Sequence, residues 1–96
     1  MKIKDRTGIE RIALERAEQF GKHERNIERD VRENSDQQLR IGAIRLLFEE
    51  PGGCPMGWNK ELWLKMTNKP LRERMVIAAA LLAAEIDRLS YLEDHP

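Results

Sequence analysis

The feature that most limits the fold of this sequence is a long helical pattern near its C-terminal end. From Leu71 to Leu92, apolar residues recur at every third or fourth position, which is the spacing of one α-helix face. These residues are Leu71, Met75, Ala78, Leu82, Ile86 and Leu89. Residues 75–84 carry no charge at all. Because an amphipathic surface helix needs only one apolar face, this segment is expected to be buried on most sides, against its own chain and a second subunit.

Capping signals and helix breakers divide the rest of the chain. Thr7 with Glu10, and Ser35 with Gln38, have the spacing of capping boxes, and Pro70 suits the first turn of a helix. The predicted segments are helices at about 8–20, 36–50, 59–66 and 71–92, a charged connector at 22–34 with some helical character, and a loop at 51–58 rich in glycine and proline. No pattern predicts a strand, so the fold class is all-α.

The length of 96 residues predicts a single helical domain covering 1–96. A chain this short buries a smaller fraction of its surface than a larger domain does, so a lone monomer would be only marginally stable. We therefore expect a small bundle of three main helices and one short helix, completed by oligomerisation through the third main helix, 71–92.

The balance of charge and the cysteine content exclude several classes of function. Basic and acidic residues number 17 each, whereas a protein that coats nucleic acid needs a basic balance. Cys54 stands alone, which excludes an internal disulfide, and it has no Cys or His at metal-ligand spacing. No apolar run is long enough to span a membrane, and the first residues have no signal-peptide pattern. A cytoplasmic location is the simplest expectation.

The segment from Trp58 to Leu89 resembles a known family. Its characteristic residues are Trp58, Trp63 and Lys65, then Arg72, Val76, Ala78, Ala80 and Leu81, and finally Ala84-Glu85-Ile86-Asp87-Arg88-Leu89. They resemble the C-terminal half of small phage and prophage proteins related to the MazG-like nucleotide pyrophosphohydrolases. Upstream, Glu15-Arg16 followed by Gln19 is similar to the Glu-Arg-x-x-Gln of the family's first helix, and Leu39 to the leucine of its Gly-Glu-Leu.

The resemblance implies an all-α fold and hydrolysis of nucleoside triphosphates, with Mg²⁺ held by carboxylates. The sequence departs from the family at those acidic positions. Gln38 stands where the family has the glutamate of Gly-Glu-Leu, Arg74 replaces an aspartate, and Ile77 replaces a lysine. The family's acidic tract has only a scattered equivalent around residues 28–33. Glutamine supplies no charge and arginine repels a metal ion, so the resemblance implies a scaffold that has lost its metal centre.

Tryptophans and basic residues in and after the loop are the candidate ligand-binding side chains. Aromatic rings stack on nucleobases, and basic side chains at a helix start bind phosphates. The candidate nucleotide-binding residues are Trp58, Trp63, Lys65, Lys69, Arg72 and Arg74. Arg72 and Arg74 lie about 200° apart around a helix and cannot share one face. Packing of the tryptophans in the core and solvation of the basic residues are the structural alternatives.

Three functions from different classes follow. The first is a phage-type, non-catalytic protein that binds or sequesters a nucleotide or nucleotide signal without a cofactor. The second is a Mg²⁺-dependent nucleoside triphosphate pyrophosphohydrolase that uses a shifted set of carboxylates, Glu15, Glu18, Glu28 and Asp30. The third is a helical interaction module that inhibits a host protein. Since no serine, cysteine or histidine lies in a recognisable catalytic arrangement, no catalytic residue is assigned.

Overall fold

The structure, a computed structural model, describes residues 6–21, 26–48 and 50–95. Within these ranges the chain is all-α, which confirms the predicted fold class. The helices are α1 (Gly8–Gly21), α2 (Ile27–Glu33), α3 (Gln38–Leu47), α4 (Lys60–Thr67) and α5 (Leu71–Asp94). Residues 22–25 of the predicted connector and residue 49 of the predicted second helix lie outside the described residues. None of the described helices is long and apolar enough to cross a membrane.

Side-chain caps explain where α1, α2 and α4 begin. The predicted capping box forms at α1: the backbone N–H of Glu10 donates to Thr7 Oγ1 at 3.2 Å, and the backbone N–H of Thr7 donates to Glu10 Oε1 at 3.1 Å. The Thr7 hydroxyl also donates to Glu10 Oε1, at 2.9 Å. The hydrogen bonds that the carboxylate accepts from the Thr7 backbone N–H and from this hydroxyl lower the pKa of Glu10. Asn26 and Asn59 cap α2 and α4 in the same way, through their side-chain oxygens.

The start of α3 differs from the sequence prediction, because the expected Ser35 capping box does not form. Gln37 adopts a left-handed conformation with φ of 69°, and α3 begins after it. The Gln38 side chain turns back, accepting from the backbone N–H of Asp36 at 2.7 Å and donating to the Glu33 carbonyl at 3.1 Å. Gln38 therefore ties α2 to α3, and α3 is shorter than the predicted 36–50.

The second difference is α2, which lies in the segment predicted as a charged connector. Its Asp30 is fully buried, and Asn34, directly after the helix, is also buried. Asn34 Nδ2 donates to Asp30 Oδ1 at 2.8 Å. The expected three main helices and one short helix are thus joined by another short helix whose inner side is polar.

The core forms where α5 packs against α1, α2, α3 and α4. Its buried apolar residues are Leu39, Ala43, Leu46, Trp63, Ile77, Ala78, Leu81 and Ala84. Part of the uncharged stretch of α5 is therefore buried, as expected, but another face of the helix is not. Met75 is 52% exposed, Leu82 42% and Ile86 63%.

Ion pairs fix the C-terminal half of α5 to its neighbours. The buried carboxylate of Glu85 accepts from Arg88 Nε at 2.6 Å and pairs with Arg40 Nε of α3 at 2.8 Å. The hydrogen bond to Glu85 raises the pKa of Arg88. Asp87, on another side of α5, pairs with Arg16 of α1 at 3.1 Å. These contacts set the positions of α1 and α3 around α5.

Arg74 has a structural role at the other end of α5. It is buried, and its guanidinium donates to the carbonyls of Leu46 and Phe48 at the end of α3 and to the carbonyl of Lys69 before α5. Carbonyls at a helix end have no partner within the helix, so a buried cation there stabilises them. Arg72 is exposed, which agrees with the expectation that the two arginines lie on different faces.

Replacing Arg74 with methionine is expected to lower the free energy of unfolding by about 2–4 kcal/mol, because buried carbonyls lose their donors. The matched Arg72→Met variant should stay within about 0.5 kcal/mol of the wild type, since Arg72 is exposed. Urea denaturation followed by circular dichroism measures both values. An Arg74→Met variant as stable as Arg72→Met would contradict this role.

Candidate functional site

A pocket of about 750 Å³ lies between α1, α2, the loop before α4, and α4 itself. This volume is within the range of small-molecule binding sites. Ile77 of α5 contributes an apolar part of its wall, together with Leu62 and Met66 of α4. Most of the other lining residues have polar or charged side chains, and their charges are unevenly distributed.

Acidic residues line the pocket from α1 and α2. Glu15 and Glu18 are three residues apart on α1 and therefore share a face, as expected from their spacing. Asp30 and Glu33 bear the same relation on α2. Glu33 also pairs with Arg29 Nε of the same helix at 2.7 Å. One side of the pocket is thus rich in hydrogen-bond acceptors.

Basic residues line the pocket from α4. Lys65 lies in the last turn of this helix, and Lys69 follows shortly after it. Both are exposed, so their ammonium groups can move within the solvent at the pocket mouth. The pocket therefore has carboxylates on α1 and α2 and lysines on the α4 side.

Trp58 is held at the pocket by two neighbouring helices. Its Nε1 donates to Asn34 Oδ1 at 2.7 Å, and Asn34 is in turn bonded to Asp30. The ring also lies against α3 at Gly42, where an added Cβ would stand 2.5 Å from Trp58 Cη2. Only glycine allows this approach. The Trp58 ring is therefore fixed in position while it lines the pocket and remains partly exposed.

The structure brings three of the six predicted nucleotide-binding residues together: Trp58, Lys65 and Lys69 line the pocket. Trp63 does not line it. This residue is 3% exposed, its Nε1 donates to the Gly52 carbonyl at 3.1 Å, and its ring packs edge-on against Trp58 with 6.0 Å between centroids. Arg74 is buried between α3 and α5, and the exposed Arg72 is not among the lining residues.

Of the carboxylates proposed for a hydrolase, Glu15, Glu18 and Asp30 line the pocket, whereas the exposed Glu28 does not. Among residues 6–21, 26–48 and 50–95, no group of three acidic, histidine or cysteine side chains is placed to hold a metal ion. The carboxylates thus share the pocket without converging on one point.

Arg29 and Asn34 line the pocket but are not predicted from the sequence, and Glu33, which also lines it, is predicted only as part of the scattered acidic tract at residues 28–33. They lie in the segment predicted as a connector, and their pattern resembles that of a solvated charged surface. Gln19, the last residue of the Glu-Arg-x-x-Gln resemblance, also lines the pocket. Its position one turn after Glu15 on α1 is the signal that places it there.

Comparison with known proteins gives no relative: no family model, curated protein or solved structure matches this chain.

Proposed function

We propose that this chain is a non-catalytic nucleotide-binding protein, a degenerate phage-type member of the MazG-like group that acts in the cytoplasm. The observation that carries the proposal is that one pocket combines an indole, Trp58, with two lysines, Lys65 and Lys69. A nucleotide has the matching parts, since it joins a flat aromatic base to an anionic phosphate group.

The lysine side of the pocket suits the phosphates. Ammonium groups bind phosphate as flexible point charges and need no fixed geometry. Glu15 and Glu18, on α1, would repel phosphate. A nucleotide therefore fits in one direction, with its phosphates toward Lys65 and Lys69.

The other side of the pocket, away from the lysines, suits the base. Stacking of a base on an aromatic side chain contributes about 1–3 kcal/mol, and the Trp58 ring is held by Asn34 before any ligand arrives. A ring that is already fixed loses little conformational entropy on binding. Glu15 and Glu18, which line the same pocket, can accept hydrogen bonds from the N–H groups of a base.

The geometry supports binding more than hydrolysis. Phosphate hydrolysis in a site of this kind needs carboxylates that converge on Mg²⁺, and the described residues offer no such group of three. Asp30 already accepts from Asn34, and Arg29 pairs with Glu33. Part of the acidic side of the pocket is therefore already engaged in hydrogen bonds and ion pairs within α2 and with the residue that follows it.

Calorimetry with nucleoside mono-, di- and triphosphates of the four common bases, with and without Mg²⁺, tests the proposal. Lys65→Ala is expected to weaken binding about tenfold, which is 1.4 kcal/mol, because one charged contact to phosphate is lost. Lys60→Ala is the matched control, since Lys60 is an exposed lysine on the same helix that does not line the pocket.

Two results would contradict the proposal. No binding of any nucleotide up to millimolar concentration would exclude nucleotide binding. Release of phosphate or pyrophosphate that requires Mg²⁺ and disappears in Glu15→Ala would replace it with the hydrolase alternative.

We also propose that α5 forms a homo-oligomer contact. Its exposed apolar residues follow one face at helical spacing: Leu71, Met75, Leu82, Ile86 and Leu89. The occupant that fits this face is a second copy of the chain, in antiparallel orientation. If the two helices cross at Leu82, Leu89 of each copy faces Met75 of the other. The exposed Glu93 of each copy then lies near the helix end that carries the exposed Arg72 of the other. Both the apolar and the charged contacts are then complementary and symmetric.

Light scattering coupled to size-exclusion chromatography tests this contact. The wild type is expected to be a dimer or larger oligomer, and Ile86→Glu to be a monomer, because a charge would be buried at the contact. Leu64→Glu, at an exposed apolar residue of α4, should leave the oligomer intact. A wild-type protein that is monomeric at all concentrations would contradict the proposal and leave the face open to a host protein.

A further inference from the structure

We infer that the side-chain carbonyl of Gln19 recognises a hydrogen-bond donor on the ligand, so that the pocket selects nucleotides whose base presents an N–H group. This inference rests on the proposed nucleotide binding and specifies that the N–H group of the base is the part of the ligand that the protein recognises. It assigns a specificity-determining role to a residue on α1, at the acidic side of the pocket.

A hydrogen bond to Glu15 determines which end of the Gln19 amide faces that carboxylate. Gln19 Nε2 donates to Glu15 Oε2 at 3.2 Å. An ionised carboxylate only accepts hydrogen bonds, so the nitrogen of the amide, and not its oxygen, must face Glu15. The Oε1 atom is consequently directed away from that carboxylate.

The Oε1 atom of Gln19 has no hydrogen-bond partner among the described residues, although the side chain is buried and the residue is only 3% exposed. An unpaired buried acceptor destabilises a protein and is uncommon in native structures. Gln38 shows the usual arrangement: it is equally buried, but its oxygen accepts from Asp36 and its nitrogen donates to Glu33.

The pocket is the place from which a donor can reach Gln19. Gln19 lines it, and the terminal torsion of a glutamine side chain is broad, so a small rotation turns Oε1 toward a ligand. Neighbouring Glu15 and Glu18 are acceptors as well, whereas the indole N–H of Trp58 already donates to Asn34. This end of the pocket therefore matches the donor edge of a base, while the phosphates lie toward Lys65.

Matched ligands test the inference by calorimetry. ATP is compared with purine riboside triphosphate, which lacks only the 6-amino group, and UTP with 3-methyl-UTP, which lacks the ring N–H. For at least one pair, the wild type is expected to bind the ligand with the donor about tenfold more tightly. In Gln19→Met, which keeps the length of the side chain but has no acceptor of this kind, that preference should disappear.

Gln38→Met is the matched control, because it removes a buried glutamine whose two ends are already paired. It should keep the ligand preference but melt at a lower temperature than the wild type. The ligand-free Gln19→Met protein should melt at a higher temperature than Gln38→Met, since it loses one hydrogen bond together with an unpaired acceptor, whereas Gln38→Met loses two hydrogen bonds.

The outcomes separate this inference from the proposed function. Equal binding within both pairs, or a preference that survives in Gln19→Met, overturns the inference and leaves nucleotide binding intact. A melting temperature of Gln19→Met reduced as much as that of Gln38→Met shows a structural role and also overturns it. If neither these four ligands nor the guanosine and cytidine nucleotides of the calorimetric panel bind, the proposed function fails and the inference fails with it.

Discussion

The hydrogen-bonded series Asp30–Asn34–Trp58 joins α2 to the loop before α4, and the pocket depends on it. Asp30 is fully buried and accepts from Asn34, which in turn accepts from the indole N–H of Trp58. Buried polar groups need such partners, so this series specifies one arrangement of helix and loop. Gly42 completes it, because the absence of a Cβ lets the ring rest against α3.

The charged residues of this chain divide between internal contacts and the lining of the pocket. Arg74 donates hydrogen bonds to the end of α3. Glu85 forms ion pairs with Arg40 and Arg88, so all of these side chains make internal contacts. Lys65 and Lys69 line the pocket and remain exposed. A balanced net charge is therefore compatible with a local site for an anion, because buried cations and surface cations have different roles.

Local signals predicted the elements whose boundaries depend on nearby residues. The Thr7 capping box and the helical period of residues 71–92 correctly indicated α1 and α5. The start of α3 was not predictable in the same way, since Gln38 bonds to α2 instead of completing a box with Ser35. Which tryptophan lines the pocket also depends on tertiary contacts. Trp58 ends the predicted loop and Trp63 belongs to the predicted short helix, and neither position indicates that only Trp63 enters the core.

The most direct test of the account is a nucleotide titration followed through the two indole N–H signals in the NMR spectrum. Each signal reports a different place, because the Trp58 N–H bonds to Asn34 at the pocket and the Trp63 N–H bonds to Gly52 beneath the loop. Binding in the pocket predicts a saturable shift of the Trp58 signal, while the Trp63 signal moves much less. An unchanged Trp58 signal under conditions where a nucleotide binds would contradict the account, since the ligand would then lie elsewhere.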